Sequence, residues 1–462
     1  MKNFFDYIVV GGGPSGIFFS YELKKQKPNC SVLLIEKGNA IEKRICPKRK
    51  TGVCTKCSPC NITTGFSGSG AFSDGKLSIN THGEIGGELI NYIGKDKFKE
   101  ILEYTDNIYL ELGADSKLYG IENMDDIKEI EKLAFVNSLR LIHSPVRHLG
   151  TEKAYEIYQK LQHILTEQNV TMKFNTMVED FIIENNEIKG VKLSNNETFY
   201  SDKVIVGVGR EGSTWLNDKC KQHNIETHPG TIDLGVRVET SEKVTEYIDK
   251  TMYEAKLINY TQTFDDKVRT FCWNPKGEVS EERYDSLAVA NGHAYKDTAL
   301  KTNNTNFALL VSLNFKDPFD QPIQYGTHIA ELANMLSGGK VLVQRYGDFK
   351  RGRRTTEKRL QQNTLTPTLK DAVPGDMSLV LPYRVMKDID ETIIALDKIM
   401  PGFASEGTLL YGVEVKFYSN KIKVNDHFET NIKGLYVMGD GAGITRGLIQ
   451  ASMNGVYLAR KI

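Results

Sequence analysis

The stretch "DYIVVGGGPSGIFFSYELKKQ", followed by "SVLLIEKG", constrains this 462-residue chain more than any other. Asp6–Val10 is a short, nearly continuous apolar run rich in β-branched residues, the pattern of a buried parallel strand. Gly11-x-Gly13-x-x-Gly16 comes next, then a helical run, then a second apolar strand ending in Glu36, twenty residues beyond Gly16. This is a βαβ unit carrying a dinucleotide fingerprint in its full context. Gly11 permits the tight turn, Gly13 lets the backbone approach a pyrophosphate, and Gly16 lets helix and strand pack closely. The helix N-terminus turns free N–H groups and a positive dipole end towards phosphates. Glu36 is placed to accept hydrogen bonds from a ribose, and an acid there favours the unphosphorylated adenosine of FAD or NAD over NADP.

Two distant segments separate FAD from NAD. Val170–Arg210 alternates apolar and polar residues in three short runs broken by "ENNE" and "SNNE", which predicts an antiparallel meander returning to a buried strand, "KVIVGVG". "NIKGLYVMGDGAG" (Asn431–Gly443) reads as a strand, then Gly439-Asp440, then a glycine turn into the helix "TRGLIQASMNGVYLARK". With these segments the chain resembles the FAD-binding flavoproteins of the glutathione-reductase type. The resemblance implies an α/β fold: a Rossmann-like FAD-binding domain of parallel sheet plus antiparallel meander, with an interleaved β-rich substrate domain. "GVGREG" (Gly207–Gly212) is a second GxGxxG, but no clear strand and acid follow it, so no separate nicotinamide domain is expected.

Further phrases narrow the resemblance. "GSGAFSDGKL" (Gly68–Leu77), "RHLGT" (Arg147–Thr151), "DLGVRVE" (Asp233–Glu239), "RTFCWNPKGEV" (Arg269–Val279), "VQRYGDF" (Val343–Phe349) and "LLYGVEVKFYS" (Leu409–Ser419) stand in order along the chain. They are similar to a poorly characterised family of FAD-dependent dehydrogenases or oxidoreductases. The resemblance implies five segments. Residues 1–97 begin the FAD domain and include a Cys-rich insert at 46–60, and 98–169 are a helical insertion. Residues 170–226 hold the meander, 227–410 the substrate domain, and 411–462 return to the FAD domain.

On that resemblance the cofactor-binding set is Gly11, Gly13, Ser15, Gly16, Glu36, Lys37, Gly70, Ser73, Asp74, Val178, Gly207, Gly209, Gly439, Asp440 and Gly443. Asp440 would meet the ribityl or pyrophosphate region and Val178 the adenine. The last helix would point its N-terminus at the flavin edge where negative charge collects on reduction. Lys76 would stabilise reduced flavin, with Arg147 and His148 as anion clamp and proton donor. Arg345, Asp348 and Arg353 would grip an anionic substrate, since guanidinium forks suit planar anions; a solvated loop is the rival reading. Cys272, among bulky apolar residues, reads as buried packing.

Four of the seven cysteines fall within "CPKRKTGVCTKCSPC". Cys54-x-x-Cys57-x-x-Cys60 repeats the spacing of a ferredoxin triplet, and Cys46 supplies a fourth thiolate. Such a set suits a [4Fe-4S] cluster or Zn, and the spacing favours iron. A redox dithiol at Cys57 and Cys60 is the third reading.

Lys+Arg and Asp+Glu balance at 59 each, which removes a whole-chain electrostatic argument for nucleic acid or an anionic membrane. No apolar run approaches the roughly 18 residues of a membrane span, and the N-terminus lacks a signal-peptide pattern. The expectation is a cytoplasmic FAD-dependent oxidoreductase acting on a small molecule, with NAD(P)H or ferredoxin as electron partner. An FAD enzyme of tRNA modification and a non-catalytic flavin sensor are its alternatives.

Overall fold

The computed structural model describes residues 3–47, 55, 57–72, 75–81, 86–228, 230–284, 287–295, 298–315, 319, 321–417 and 420–462. The chain forms two compact units. The first comprises Met1–Lys117, Arg147–Gly230 and Tyr418–Ile462; the second comprises Leu118–Val146 and Thr231–Phe417.

The first unit is built on a five-stranded parallel sheet in the order Leu435–Val437, Val204–Val206, Tyr7–Val10, Val32–Ile35, Thr171–Lys173. Its three inner strands and the edge strand Leu435–Val437 are apolar on both faces and fully buried, as a sheet covered on two sides requires. Helix Pro14–Gln26 starts directly after Gly13, with Pro14 in its first turn, where a missing N–H costs nothing. It lies against helix Leu448–Lys461 so closely that a Cβ on Gly455 would stand 2.2 Å from Ser15 O. The meander is Val178–Glu184, Glu187–Leu193 and Thr198–Tyr200, all antiparallel. Thr171–Lys173, at the start of the segment that suggested the meander, is instead the edge strand of the parallel sheet. Three residues with mixed burial look alike in sequence whichever sheet they join.

The second unit holds an eight-stranded sheet. Its order is Val373–Pro374, Leu342–Arg345, Leu409–Phe417, Ile232–Ser241, Asn304–Leu313, Lys267–Asn274, Lys256–Tyr260 and Leu139–Ile142. Alternation along Ile232–Ser241 splits its side chains between two faces. Leu234, Val236 and Val238 join a core with Ile329 and Ala330 of helix Pro322–Ser337 and Ile389 and Ile393 of helix Tyr383–Asp397. Asp233, Arg237 and Glu239 face the other way and are buried too. Arg237 is satisfied by a two-pronged pair with Glu414 at 2.7 and 2.8 Å, and by Asn306 Oδ1 at 3.0 Å.

The stretch 98–169 forms no unit of its own. Helices Lys95–Glu111 and Thr151–Glu167 belong to the first unit, whereas helix Met124–Val136 and strand Leu139–Ile142 belong to the second. Cys272 is only half-buried, not packed away. It takes a positive φ of 49° where the Lys267–Asn274 strand bulges between Phe271 and Asn274.

Candidate functional site

At the carboxyl ends of the first unit's strands the backbone is stitched into one platform. Gly11 N–H donates to Ile35 O at 2.8 Å, Gly207 N–H to Val10 O at 2.8 Å and Met438 N–H to Val206 O at 2.9 Å. Two glycines there are forced by contact. Gly11 has φ +105° and a Cβ on it would lie 2.8 Å from Gly207 O; one on Gly16 would lie 2.1 Å from Gly11 O. Gly13 and Gly209 differ. A Cβ on Gly13 would meet nothing nearer than 3.8 Å, and one on Gly209 nothing within 4 Å. The space before them is open.

Glu36 is buried beside this opening. Its Oε2 accepts Gly12 N–H and its Oε1 accepts Gly38 N–H, each at 2.8 Å. Each oxygen keeps a second acceptor site for a hydroxyl. Ser15 Oγ donates to Gly207 O at 3.4 Å, and Lys37 forms an ion pair with Glu211. Val178 is buried at the start of the meander.

The last chain segment completes the platform. Gly439, with φ +80°, donates its N–H to Asn454 Oδ1 at 2.8 Å, while Asn454 Nδ2 is buried without a partner. Asp440 accepts Thr445 Oγ1–H at 2.6 Å. Burial pushes its carboxyl above the usual range, against the opposing pull of Arg210, Thr445, Arg446 and the Gly447 N–H. Gly443, in the left-handed region, ends the single turn Asp440–Ala442. Helix Leu448–Lys461 then begins at Gly447 with no side-chain cap, and the nearest atom to a Cβ on Gly447 is 4.0 Å away.

The glycine-rich loop is held against this platform by its backbone. Ser67 N–H donates to Gly12 O at 2.7 Å. A Cβ on Gly70 would crowd Leu448 at 3.0 Å and the Tyr158 hydroxyl at 3.1 Å. Ser73 and Asp74 lie outside the described residues. Lys76 begins the strand Lys76–Ser78 and is half-buried. Leu149 N–H donates to Gly75 O at 3.0 Å, which ties the chain next to His148 to the chain next to Lys76. His148 is buried. Arg147 is buried too, and its fork is closed on Asp106 at 2.8 and 2.7 Å with a third bond to Asp115 O at 2.6 Å.

Arg44 and Asn454 line the same region, although sequence reasoning assigned them no such place. Arg44 is buried. It donates to Asn61 O at 3.0 Å, Ile62 O at 2.8 Å, Phe66 O at 2.6 Å and Ser67 Oγ at 2.8 Å, and stacks on the Phe72 ring. Burial pushes its guanidinium down to about 10, resisted by the charges of Glu36 and Cys60. A lone Arg inside a basic run gives no sign that the next twenty residues will wrap around it. Asn454 carries a weak signal only, as a polar residue in an apolar helix.

The remaining candidates are the cysteines and the Arg345 cluster. Cys54 is outside the described residues; Cys46 is half-buried, Cys57 and Cys60 are exposed, and all three are free thiols. Among the described residues no three His, Cys, Asp or Glu gather as a metal site. In the second unit, Arg353 Nε donates to Asp348 Oδ1 at 2.7 Å and Arg359 Nε to Asp348 Oδ2 at 3.1 Å. Arg345 stands 3.9 Å from the same fully buried carboxylate. These charges are turned onto one another.

Comparison with known families agrees with this geometry. Residues 9–46 match an NAD(P)-binding Rossmann-like domain, residues 134–245 a pyridine nucleotide-disulphide oxidoreductase, and residues 231–417 a C-terminal domain-like model of FAD-dependent proteins. The chain is an FAD-dependent oxidoreductase. This oxidoreductase is 24% identical to an uncharacterized protein of Clostridium beijerinckii, over 98% of its own length and 80% of the relative's. Among solved structures it is similar to L-proline dehydrogenase from P. horikoshii, at 13% identity and TM-score 0.40, covering 100% of this chain and 93% of that one. Glycine oxidase from Geobacillus kaustophilus follows at 10% identity and TM-score 0.40, covering 99% and 95%. At such scores neither neighbour carries an argument about substrate.

The platform fits FAD. Open space before Gly13, Gly209 and Gly447, an acid with unused acceptor sites at one side, and an orphaned buried amide at Asn454 suit an extended dinucleotide with hydroxyl and phosphate groups. No helix among the described residues is long and apolar enough to cross a membrane.

Proposed function

We propose that this oxidoreductase holds FAD along the strand ends of its first unit and oxidises or reduces a small molecule there. A Cβ on Gly13, Gly209 or Gly447 would meet nothing nearer than 3.8 Å, whereas one on Gly11, Gly16, Gly207 or Gly439 would come within 3.0 Å of a neighbour, and this contrast carries the reading. Bound FAD would supply hydride or electron exchange. Glu36 would accept the adenosine ribose hydroxyls, and Gly13 and the start of helix Pro14–Gln26 would face the pyrophosphate. Asp440 would take the ribityl or pyrophosphate region, with Thr445 fixing its carboxyl. The uncapped start of helix Leu448–Lys461 would turn its N–H groups towards negative charge on the flavin.

His148 and Lys76 are the protonable groups joined through the Leu149–Gly75 bond, and we assign them proton exchange and charge balance. Arg147, closed on Asp106, would position the His148 segment and not clamp an anion. The Arg345–Asp348–Arg353 cluster, whose guanidiniums are turned onto the Asp348 carboxylate, is assigned to holding its own loop.

An iron–sulfur or zinc centre at Cys46, Cys54, Cys57 and Cys60 rests on their spacing alone. Anaerobic purification with a visible spectrum and metal analysis tests both parts. FAD peaks, bleached by NADH, NADPH or reduced ferredoxin and restored by an acceptor, are expected. A flavin that no donor reduces would favour the sensor reading, and RNA that co-purifies would favour tRNA modification. About four irons per chain would establish the cluster; absence of metal with a titratable Cys57–Cys60 disulfide would replace it with the dithiol.

A further inference from the structure

Lys37 and Glu211 form an ion pair that no part of the dinucleotide fingerprint requires. Its place in the fold gives it a consequence. Strand Val32–Ile35 and strand Val204–Val206 are the two neighbours of strand Tyr7–Val10, on opposite sides and parallel to it. Strands separated by one intervening strand lie about 10 Å apart. Lys37 follows the carboxyl end of the first neighbour, and Glu211 sits in the short turn Arg210–Gly212 beyond the second. A bond between them must pass in front of the middle strand's carboxyl end, where Gly11–Gly13 turn. That is the crevice in which an open parallel sheet receives a dinucleotide.

The ground beneath the pair is open. Gly209, two residues before Glu211, has no atom within 4 Å of an added Cβ, and Gly13 has none nearer than 3.8 Å. The residue before Lys37 is Glu36, whose carboxylate is tied to Gly12 and Gly38 on the floor of the same crevice. Lys37 and Glu211 are a third and nearly half exposed, so the pair sits at the rim and can open to water.

We propose that Lys37 and Glu211 are a latch over the adenosine half of the cofactor, a pair that retains FAD without touching the flavin. The inference rests on the assignment of FAD to this crevice. With the pair closed, the adenosine cannot leave without threading beneath it; with the pair broken, the rim opens. An exposed pair is weak, so its loss is expected to change a rate by about two- to five-fold at most. The effect is screened by salt.

The experiment measures FAD release by flavin fluorescence after dilution, and ADP affinity by competition. It uses the full chain, Lys37→Glu, Glu211→Lys and the double exchange Lys37→Glu/Glu211→Lys. Each single change is expected to speed FAD release about two- to five-fold and to weaken ADP by a similar factor, with the thermal midpoint of the FAD-free protein little changed. The double exchange should restore both, and high salt should erase the difference between parent and single variants. Equal release from all four proteins would overturn the latch while leaving FAD in place. Failure of the double exchange to restore release would also overturn it, because the singles would then be acting through something other than the pair. A chain that binds neither FAD nor ADP would sink the cofactor assignment, and the latch with it.

Discussion

Single residues in the cradle separate into those that serve the chain and those that serve the ligand. Gly16 belongs to the first kind, since a Cβ there would overlap Gly11 O at 2.1 Å whatever is bound. Gly209 belongs to the second, since its Cβ would meet open space. Gly16→Ala is therefore expected to lower the thermal midpoint and to lose FAD. Gly209→Ala should leave the midpoint of the FAD-free protein unchanged and weaken FAD about ten-fold or more, as a methyl enters space the cofactor needs. Comparing apo melting curves with FAD titrations checks this, and equal damage from both changes would remove the distinction. The sequence shows both glycines in GxGxxG patterns but not which is crowded from outside. The places of Gly11, Gly13, Gly16 and Glu36 at the strand ends were legible because they follow from local spacing. Arg44 was not, because its acceptors Asn61, Ile62 and Phe66 declare themselves only once the loop folds back. Lys37 and Glu211 stand far apart in the chain, and neither hints at the other.

Among the elements, helix Tyr383–Asp397 of the second unit is joined to the turn Thr261–Asp266 almost wholly through carboxyl groups. Asp388 Oδ1 accepts the Thr261 hydroxyl at 2.7 Å, and Glu391 Oε2 accepts Gln262 N–H at 2.8 Å. Asp266 is paired with Arg384, one of its bonds being 2.8 Å, and Lys387 lies 3.6 Å from Glu391. Asp388 is fully buried. Burial, with the negative charge of Asp266 beside it, pushes its carboxyl up to about 7. A folded-state carboxyl raised above its unfolded value binds its proton more tightly when folded, so the associated stability is complete below about pH 4. It is lost as pH rises through about 7, by an amount of order 2–4 kcal/mol. Urea midpoints should fall between pH 5 and pH 8. Asp388→Asn, which keeps the acceptor for Thr261 and needs no proton, should flatten that slope and exceed the parent in stability at pH 8. A parent midpoint that is flat from pH 5 to pH 8 would contradict the raised Asp388 carboxyl. No sequence pattern announces such a pair, because Asp266 and Asp388 meet only through the sheet and the helix that carry them.

Over the whole molecule, the interleaving of segments decides what the sequence could reveal. Four strands of the first unit's parallel sheet were readable because each is short, apolar and runs into a glycine-bearing turn; Thr171–Lys173, which is neither apolar nor followed by one, was not. The second unit's sheet was not, since its order depends on pairings between strands far apart in the chain. Leu139–Ile142, four residues inside a stretch of helical character, supplies one edge of that sheet. The same interleaving makes the last segment indispensable to the first unit. Strand Leu435–Val437 covers one edge of the sheet, and helix Leu448–Lys461 buries Ile449, Met453, Val456 and Leu458 in the first unit's core. At about 1.5–3 kcal/mol for each large apolar side chain, these four contribute roughly 6–12 kcal/mol. That is comparable with the whole net stability of a domain, about 5–15 kcal/mol. Chains ending before Tyr418 are therefore expected to lose FAD, to bind hydrophobic dyes and to aggregate. Met453→Ala alone should cost about 2–5 kcal/mol yet retain flavin below its lowered midpoint, because the platform's hydrogen bonds remain. Urea unfolding of Met453→Ala followed by flavin fluorescence measures this. Release of FAD from the folded variant, well below the unfolding transition, would place Met453 in the cofactor site and not in the packing beneath it.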